Sequence, residues 1–328
     1  MTNRLKLSVS AAALALLVAG GASSVQAADV VADPGCTLSG SVMAGYMYNW
    51  QDFSAENDEG EDADGDVEWS TPFGEGAGLV TCGGFNVQAD IAYYAHSADI
   101  DDISGKDVDL DQTNTHIGGA LFYRDPYSWA GGVGASWISQ DIFGKDIDIF
   151  RVGLFGEFYF DDMFTLGASA HYYNADWVEG KDEDGFELAA WGRFYATPDF
   201  SLLLRGDLLF AEYDISNAPN DVDLDLSGFA ITGEAEYLVW DQGLSVFGGA
   251  RYADRELDID DGGDDVELEV EDFQVFAGIK FYFGQGTTLV ERQRTGTVDN
   301  TSVFNEKLPS FLPSAAVGAI DAEGGGIP

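Results

Sequence analysis

The sequence predicts an all-β protein: a transmembrane, antiparallel, up-and-down β-barrel of twelve strands, with long acidic loops at one end and short turns at the other. Three observations predict it. Apolar and polar residues alternate with a period of two over segments of strand length. The connections between these segments are short and long in strict alternation. After the N-terminal leader, no apolar run approaches the ~20 residues of a membrane helix, so membrane contact must use strands.

The leader comes first. Arg4 and Lys6 form a positive start, Leu7 to Gly20 an apolar stretch, and Val25-Gln26-Ala27 a small-residue cleavage site. Residues 1–27 therefore read as a signal peptide, 28–283 as the barrel, and 284–328 as a tail.

Twelve strand candidates follow: 36–50, 67–81, 85–98, 113–123, 128–140, 148–160, 164–177, 185–196, 199–213, 226–240, 243–256 and 268–283. In the sixth, Phe150, Val152, Leu154, Phe158 and Phe160 oppose Arg151, Glu157 and Tyr159. In the ninth, Phe200, Leu202, Leu204, Leu208 and Phe210 oppose Ser201, Arg205 and Asp207. The second is the weakest. Its face of Trp69, Phe73, Ala77 and Leu79 also carries Glu75, costly against lipid, which predicts a bulge or shift. Connections after even-numbered strands are tight, at 82–84, 124–127, 161–163, 197–198 and 241–242. An even strand count puts both termini at the tight-turn end. Aromatic residues sit at strand ends, with Tyr46, Tyr48 and Trp50 closing the first and Tyr237 and Trp240 the tenth, as at membrane–water boundaries.

The formal net charge is −43, from 15 Lys+Arg against 58 Asp+Glu, which excludes a nucleic-acid partner. Yet 45% of residues are apolar and 13% aromatic, too many for a disordered chain. The acid is segregated into the long connections, chiefly 51–67 and 256–272. A ring of such loops concentrates cations, or serves only as a wet rim screened within ~8–10 Å. Asp62-Ala63-Asp64-Gly65 and Asp182-Glu183-Asp184-Gly185 match the middle of a calcium loop. Gly60 or Gly180 at its first position, and Thr71 or Trp191 at its twelfth, fail it. No metal site and no cofactor is expected. In three connections the alternation continues, as in Val266-Glu267-Leu268-Glu269-Val270, so the hairpins extend beyond the membrane. There Val266, Leu268 and Val270 have the opposite parity from Phe273: a bulge intervenes, or the extension turns its apolar side inward.

Parity nominates the lumen. Candidate pore-lining residues are Arg151, Glu157, Glu187, Arg193, Arg205, Asp207, Glu234, Glu236, Arg251 and Lys280. Hairpin pairing places Arg205 close to Glu234 and Arg251 diagonal to it, which suggests a charged belt. Inward glycines at 118, 132, 134, 153, 167, 249 and 278 favour open space in a barrel between the filled eight-stranded and open sixteen-stranded sizes. Cys36 and Cys82 fall at the same end of neighbouring strands, where a disulfide is plausible. His96, His116 and His171 form no recognisable catalytic set, and no enzyme is expected.

The pattern over 36–283, ending in Ala277-Gly278-Ile279-Lys280-Phe281-Tyr282-Phe283, resembles the Gram-negative outer-membrane β-barrel superfamily, in particular small porin-like barrels. The resemblance implies residence in the cell outer membrane, external loops and periplasmic turns. Its implied partners are the barrel assembly machinery and outer-membrane lipid with lipopolysaccharide. It implies a porin-like channel for passive diffusion of small hydrophilic solutes or ions, which the acidic loops would bias toward cations. The alternative is a structural or surface-interaction barrel with a filled lumen and acidic loops that bind ions or lipopolysaccharide. One departure stands out: the chain continues past Phe283 to Pro328. Prolines at 309, 313 and 328 and Gly324-Gly325-Gly326 predict a mostly disordered periplasmic tail, against the other reading, a plug folded into the lumen.

Overall fold

The computed structural model describes residues 35–57, 62–103, 106–142, 145–178, 181–215, 223–260, 265–284 and 286–310. The expected signal peptide and residues 311–328 lie outside the described residues. The strands are β1 Cys36–Asn57, β2 Asp62–Cys82, β3 Phe85–Ile103, β4 Lys106–Asp125, β5 Trp129–Ile142, β6 Lys145–Phe160, β7 Phe164–Val178, β8 Lys181–Thr197, β9 Phe200–Ile215, β10 Asp223–Trp240, β11 Leu244–Asp260 and β12 Asp265–Phe283. Each pairs antiparallel with its sequence neighbours, and β1 pairs with β12 from Gly40↔Phe283 to Asn57↔Val266. Closure gives each described strand a neighbour on both sides.

The tight turns gather at one end, where backbone demands select their residues. Gly83 and Gly243 take φ of 62° and 117°, conformations that side chains disfavour. At the same end Cys36 faces Cys82 in the β1–β2 register, and the two form a disulfide.

At the opposite end the strands outrun their sequence-predicted limits. Residues 51–57, 62–66 and 265–267, outside the expected strands, continue the ladder of β1, β2 and β12. Asp62–Gly65 and Asp182–Gly185 are likewise strand backbone, not calcium-loop turns. No register shift interrupts β12, so Leu268 and Val270 point inward and are buried. β2 carries no bulge either. Its face of Trp69, Phe73 and Leu79 is buried in the lumen, and Glu75 there accepts the Tyr94 hydroxyl at 2.5 Å. The expected cost of Glu75 against lipid does not arise.

After Phe283 the chain turns back into the barrel at Gly284 and Gly286, both with φ of 95°. A short helix, α1 Leu289–Thr295, starts with a capping box. Thr288 accepts from the Glu291 N–H at 3.3 Å, and the Glu291 carboxylate accepts from the Thr288 N–H at 3.3 Å. The chain then climbs the lumen to one π-turn, Val303–Lys307, capped by Ser302, whose hydroxyl accepts the Asn305 N–H at 3.0 Å. Residues 286–310 are thus a plug, and the expectation of a mostly disordered tail fails for them. Leu289, Val290, Val303, Phe304 and Leu308 are buried within the barrel.

Candidate functional site

The outer wall and the lumen differ in chemistry. Outward residues such as Leu154, Leu166, Leu204, Ile231 and Ile279 are about half exposed or more, with Leu154 and Leu204 each at 64%. Aromatic pairs border this apolar band on both sides. Towards the loop end Trp50 stacks on Phe273 at 5.7 Å and Phe229 meets Tyr252 at 5.9 Å. Towards the turn end Phe85 meets Tyr123 at 5.4 Å and Phe164 meets Phe194 at 4.9 Å. From Phe150 to Phe160 a strand spans about 33 Å, or about 25 Å of membrane once tilted. The chain is a membrane-spanning β-barrel. Trp50, expected to close its strand, marks the water boundary instead, since β1 continues to Asn57.

Inside, the plug is held in three tiers. At the turn end, arginines bind backbone carbonyls: Arg292 donates to Asp241 at 2.7 Å, Arg294 to Phe164 at 2.9 Å, and Arg124 to Gly296 at 2.6 Å. In the middle tier the Gln88 amide exchanges two hydrogen bonds of 2.8 Å with the backbone of Val298. Arg151 ion-pairs with Glu187 at 2.5 Å and donates to the Asn300 carbonyl at 2.8 Å. Glu187 in turn accepts from Ser302 and, at 2.8 Å, from Asn305. His116 bridges Asp90 and Glu306 at 2.6 and 2.9 Å. In the upper tier Arg255 pairs with Asp272 at 2.5 Å and donates to Pro309 at 3.0 Å, while Gln112 accepts the Ser310 N–H at 2.8 Å.

At that tier and beyond it the inner wall turns apolar, and Arg255 itself lies directly opposite Val270. Phe53, Val67, Leu110, Ile147, Leu226, Leu257, Leu268 and Val270 form one buried cluster with Val303, Phe304 and Leu308 of the plug. Glu183, buried near this level, accepts the Tyr173 hydroxyl at 2.5 Å.

The nominated residues all come from inward positions, but their partners differ from the expected belt. Arg205 lies opposite Thr232, so Glu234 is only its diagonal neighbour. Arg205 pairs instead with Asp207 at 2.7 Å and with Asp299 of the plug at 3.1 Å. Glu234 and Glu236 are shared by Arg193, at 3.5 and 3.8 Å. Arg251 donates to Thr232 at 3.0 Å and to Gln274. Glu157 accepts from Tyr159 at 2.9 Å, and Lys280 sits 4.8 Å above the Tyr282 ring. The inward glycines do not leave open space. A Cβ at Gly134 would stand 2.6 Å from Asn300 Oδ1, so the missing side chain makes room for the plug.

Sequence reasoning missed the plug's own contribution: Arg292, Arg294, Asp299, Asn300, Ser302, Glu306 and Lys307. The available signals were two local caps, Thr288-x-x-Glu291 and Ser302-x-x-Asn305, in a segment otherwise read as solvated. Burial works against the charge of Asp299. Lys307 and Arg205, helped by hydrogen bonds from Thr301, override it and hold the carboxyl far below the usual range. His96 lies between the Thr71 hydroxyl, 2.9 Å from Nδ1, and the Asn114 amide, 3.2 Å from Nε2. Both nitrogens of His116 are taken by carboxylates, and His171 Nδ1 accepts from Arg151 at 3.0 Å.

Water-sized cavities of about 140, 120 and 70 Å³ remain between the plug and the wall. They share Leu203 and Asp299, so they adjoin one another, and Arg193, Arg205, Glu234 and Lys280 line them.

No protein-family model and no curated protein matches the sequence. Solved structures that resemble it include outer-membrane proteins. An outer-membrane channel from Pseudomonas putida F1 shares 12% identity over 74% of this chain and 96% of its own, with a TM-score of 0.46. An anion-selective porin from Comamonas acidovorans shares 11% over 76% and 99%, at 0.34. The outer-membrane protease OmpT from Escherichia coli shares 11% over 75% and 97%, at 0.32.

Proposed function

We propose that this protein is an outer-membrane channel held shut by its own C-terminal segment, and that it passes small hydrophilic solutes or ions when the plug loosens. The observation that carries this reading is the wall against which the plug rests. Gln88, Asp90, His116, Arg151, Glu187 and Gln274 are polar or charged, and each has a hydrogen-bonding partner on the plug or its bridge. Such groups accept water when the plug leaves, so a vacated lumen stays wet. A lumen filled only for support gains nothing from them, because buried ion pairs add little stability over apolar packing. The carboxylates of the hairpin extensions give the mouth a negative potential and a preference for cations. Lipopolysaccharide and outer-membrane lipid surround the barrel in this reading, and the barrel assembly machinery inserts it.

A second reading has an observation of its own: the apolar cluster at the loop end favours a permanently closed barrel with a structural or surface role. Planar-bilayer recording of the full mature chain separates the two. Wild type should be mostly silent, and Arg151→Ala with His116→Ala should give discrete steps. If those variants release the tail to protease yet remain silent, the channel reading falls and the structural one stands.

A further inference from the structure

Two features of the lumen differ in what they resist. The polar tiers hold the plug, but they already contain adjoining cavities of about 140, 120 and 70 Å³ lined by Arg193, Glu234, Lys280 and Asp299. Water and small ions are at home among such groups. The loop-end layer is of another kind. Phe304 and Leu308 of the plug are 6% and 0% exposed and belong to one apolar cluster with Leu110, Leu257, Leu268 and Val270, contributed by three strands around the wall.

We infer that the permeability barrier of the closed protein is this apolar septum and not the length of the plug, so that Phe304 and Leu308 are its gating residues while the charged tiers only keep them in place. The physical reason is desolvation. A hydrated ion entering this mostly apolar layer loses water, and the Arg255–Asp272 pair at its base is already engaged with itself and with the Pro309 carbonyl, so the layer blocks by staying dry. Below it, an ion meets carboxylates and guanidinium groups that substitute for water. The septum needs both contributors. The wall alone leaves the axis open, and the plug brings Val303, Phe304 and Leu308 to it. This inference rests on the channel reading and refines where that channel is shut.

The test uses the full mature chain with Phe304→Asn and Leu308→Asn, separately and together, leaving Arg151, His116 and Glu306 intact. Folding is checked by heat-modifiable migration on gels, and plug seating by protection of residues 296–310 from protease. The expected result is an ion leak at least about tenfold above wild type with the plug still protected, equivalent to lowering the barrier by about 1.4 kcal/mol. Locking the plug with a cysteine pair at Gln88 and Val298, adjacent through two hydrogen bonds, should leave that leak in place. A leak abolished by the lock would show that the variants act by releasing the plug, and would overturn the septum. Silence in the septum variants, with conduction in Arg151→Ala/His116→Ala, would overturn it too while leaving the channel reading standing. Silence in both sets, with the tail released in the latter, would remove both.

Discussion

The His116 imidazole on β4 stands between two carboxylates, with Nε2 2.6 Å from Asp90 Oδ2 on β3 and Nδ1 2.9 Å from Glu306 Oε1 on the plug. Both nitrogens face acceptors, so the ring carries both protons and its charge is shared by wall and plug. His116 is fully buried and so is Glu306. Substituting His116 by Ala leaves two carboxylates without their cation, a loss of about 3–5 kcal/mol for a broken buried pair. Hydrogen exchange should then show lost protection over 298–310 first, with the barrel strands still protected.

Asp299 supplies a pH dependence whose sign follows from its environment. Partial burial raises its pKa, but Lys307 and Arg205 together pull it well below the ordinary carboxylate range. A depressed carboxylate stabilises the seated plug above the unperturbed pKa of about 3.9, and that contribution is lost as pH falls through the lower folded value. Its side chain keeps 47% exposure, so screening reduces the effect. Plug seating, read by protease protection, should be flat from pH 7 to about 4 in this respect and weaken below. Asp299→Asn should remove that acid-side loss and weaken seating at neutral pH.

The disulfide joins β1, a seam strand, to β2 across 46 residues of sequence. Cross-links closing loops of this order contribute about 2–4 kcal/mol. Cys36→Ser should lower the temperature at which the folded band converts to the unfolded one on gels, and reductant should do the same to wild type while leaving the variant unchanged.

On the lipid-facing wall, Leu154 and Leu204 are each 64% exposed. Leu204→Arg places a charge in the apolar band and should cost about 2–4 kcal/mol, the range for cationic side chains near a bilayer midplane. Reversible unfolding in lipid vesicles measures it. A cost near zero would mean that this face does not meet lipid.

The β11–β12 extension pairs like charges, with Asp254↔Glu271, Glu256↔Glu269 and Asp258↔Glu267 directly opposite one another. It lies beyond the aromatic border of Tyr252 and Phe273. Partial burial, then Asp258 and Glu267, raise the Glu256 carboxyl above its ordinary range. A raised carboxylate destabilises at high pH, and the penalty is relieved as pH falls through the raised value. Raising salt relieves it as well. Amide protection of residues 254–260 and 265–271 should therefore rise from low to high ionic strength at pH 7, and rise again towards pH 5.

Strand number, the tight turns and the inside-or-outside assignment of Leu154, Arg151 or Leu204 followed from sequence alone, because a strand's period of two and a turn's residue demands are set by immediate neighbours. The same locality shows Thr288-x-x-Glu291 as a helix start. What fills the lumen is not local. Gln88 meets Val298, and His96 meets Glu306, across 210 residues of sequence. Asn300 occupies the space that Gly134 leaves only because the closed sheet brings both to one axis. Likewise Arg205 found Asp207 and Asp299 instead of Glu234, since a shift of two residues in register decides which inward charges are opposite and which diagonal. The sequence by itself determined a closed, membrane-spanning wall, because each strand writes its own pattern. Only the tertiary structure decided that the wall is occupied, because the plug's polar residues read as solvated until the barrel supplies their partners.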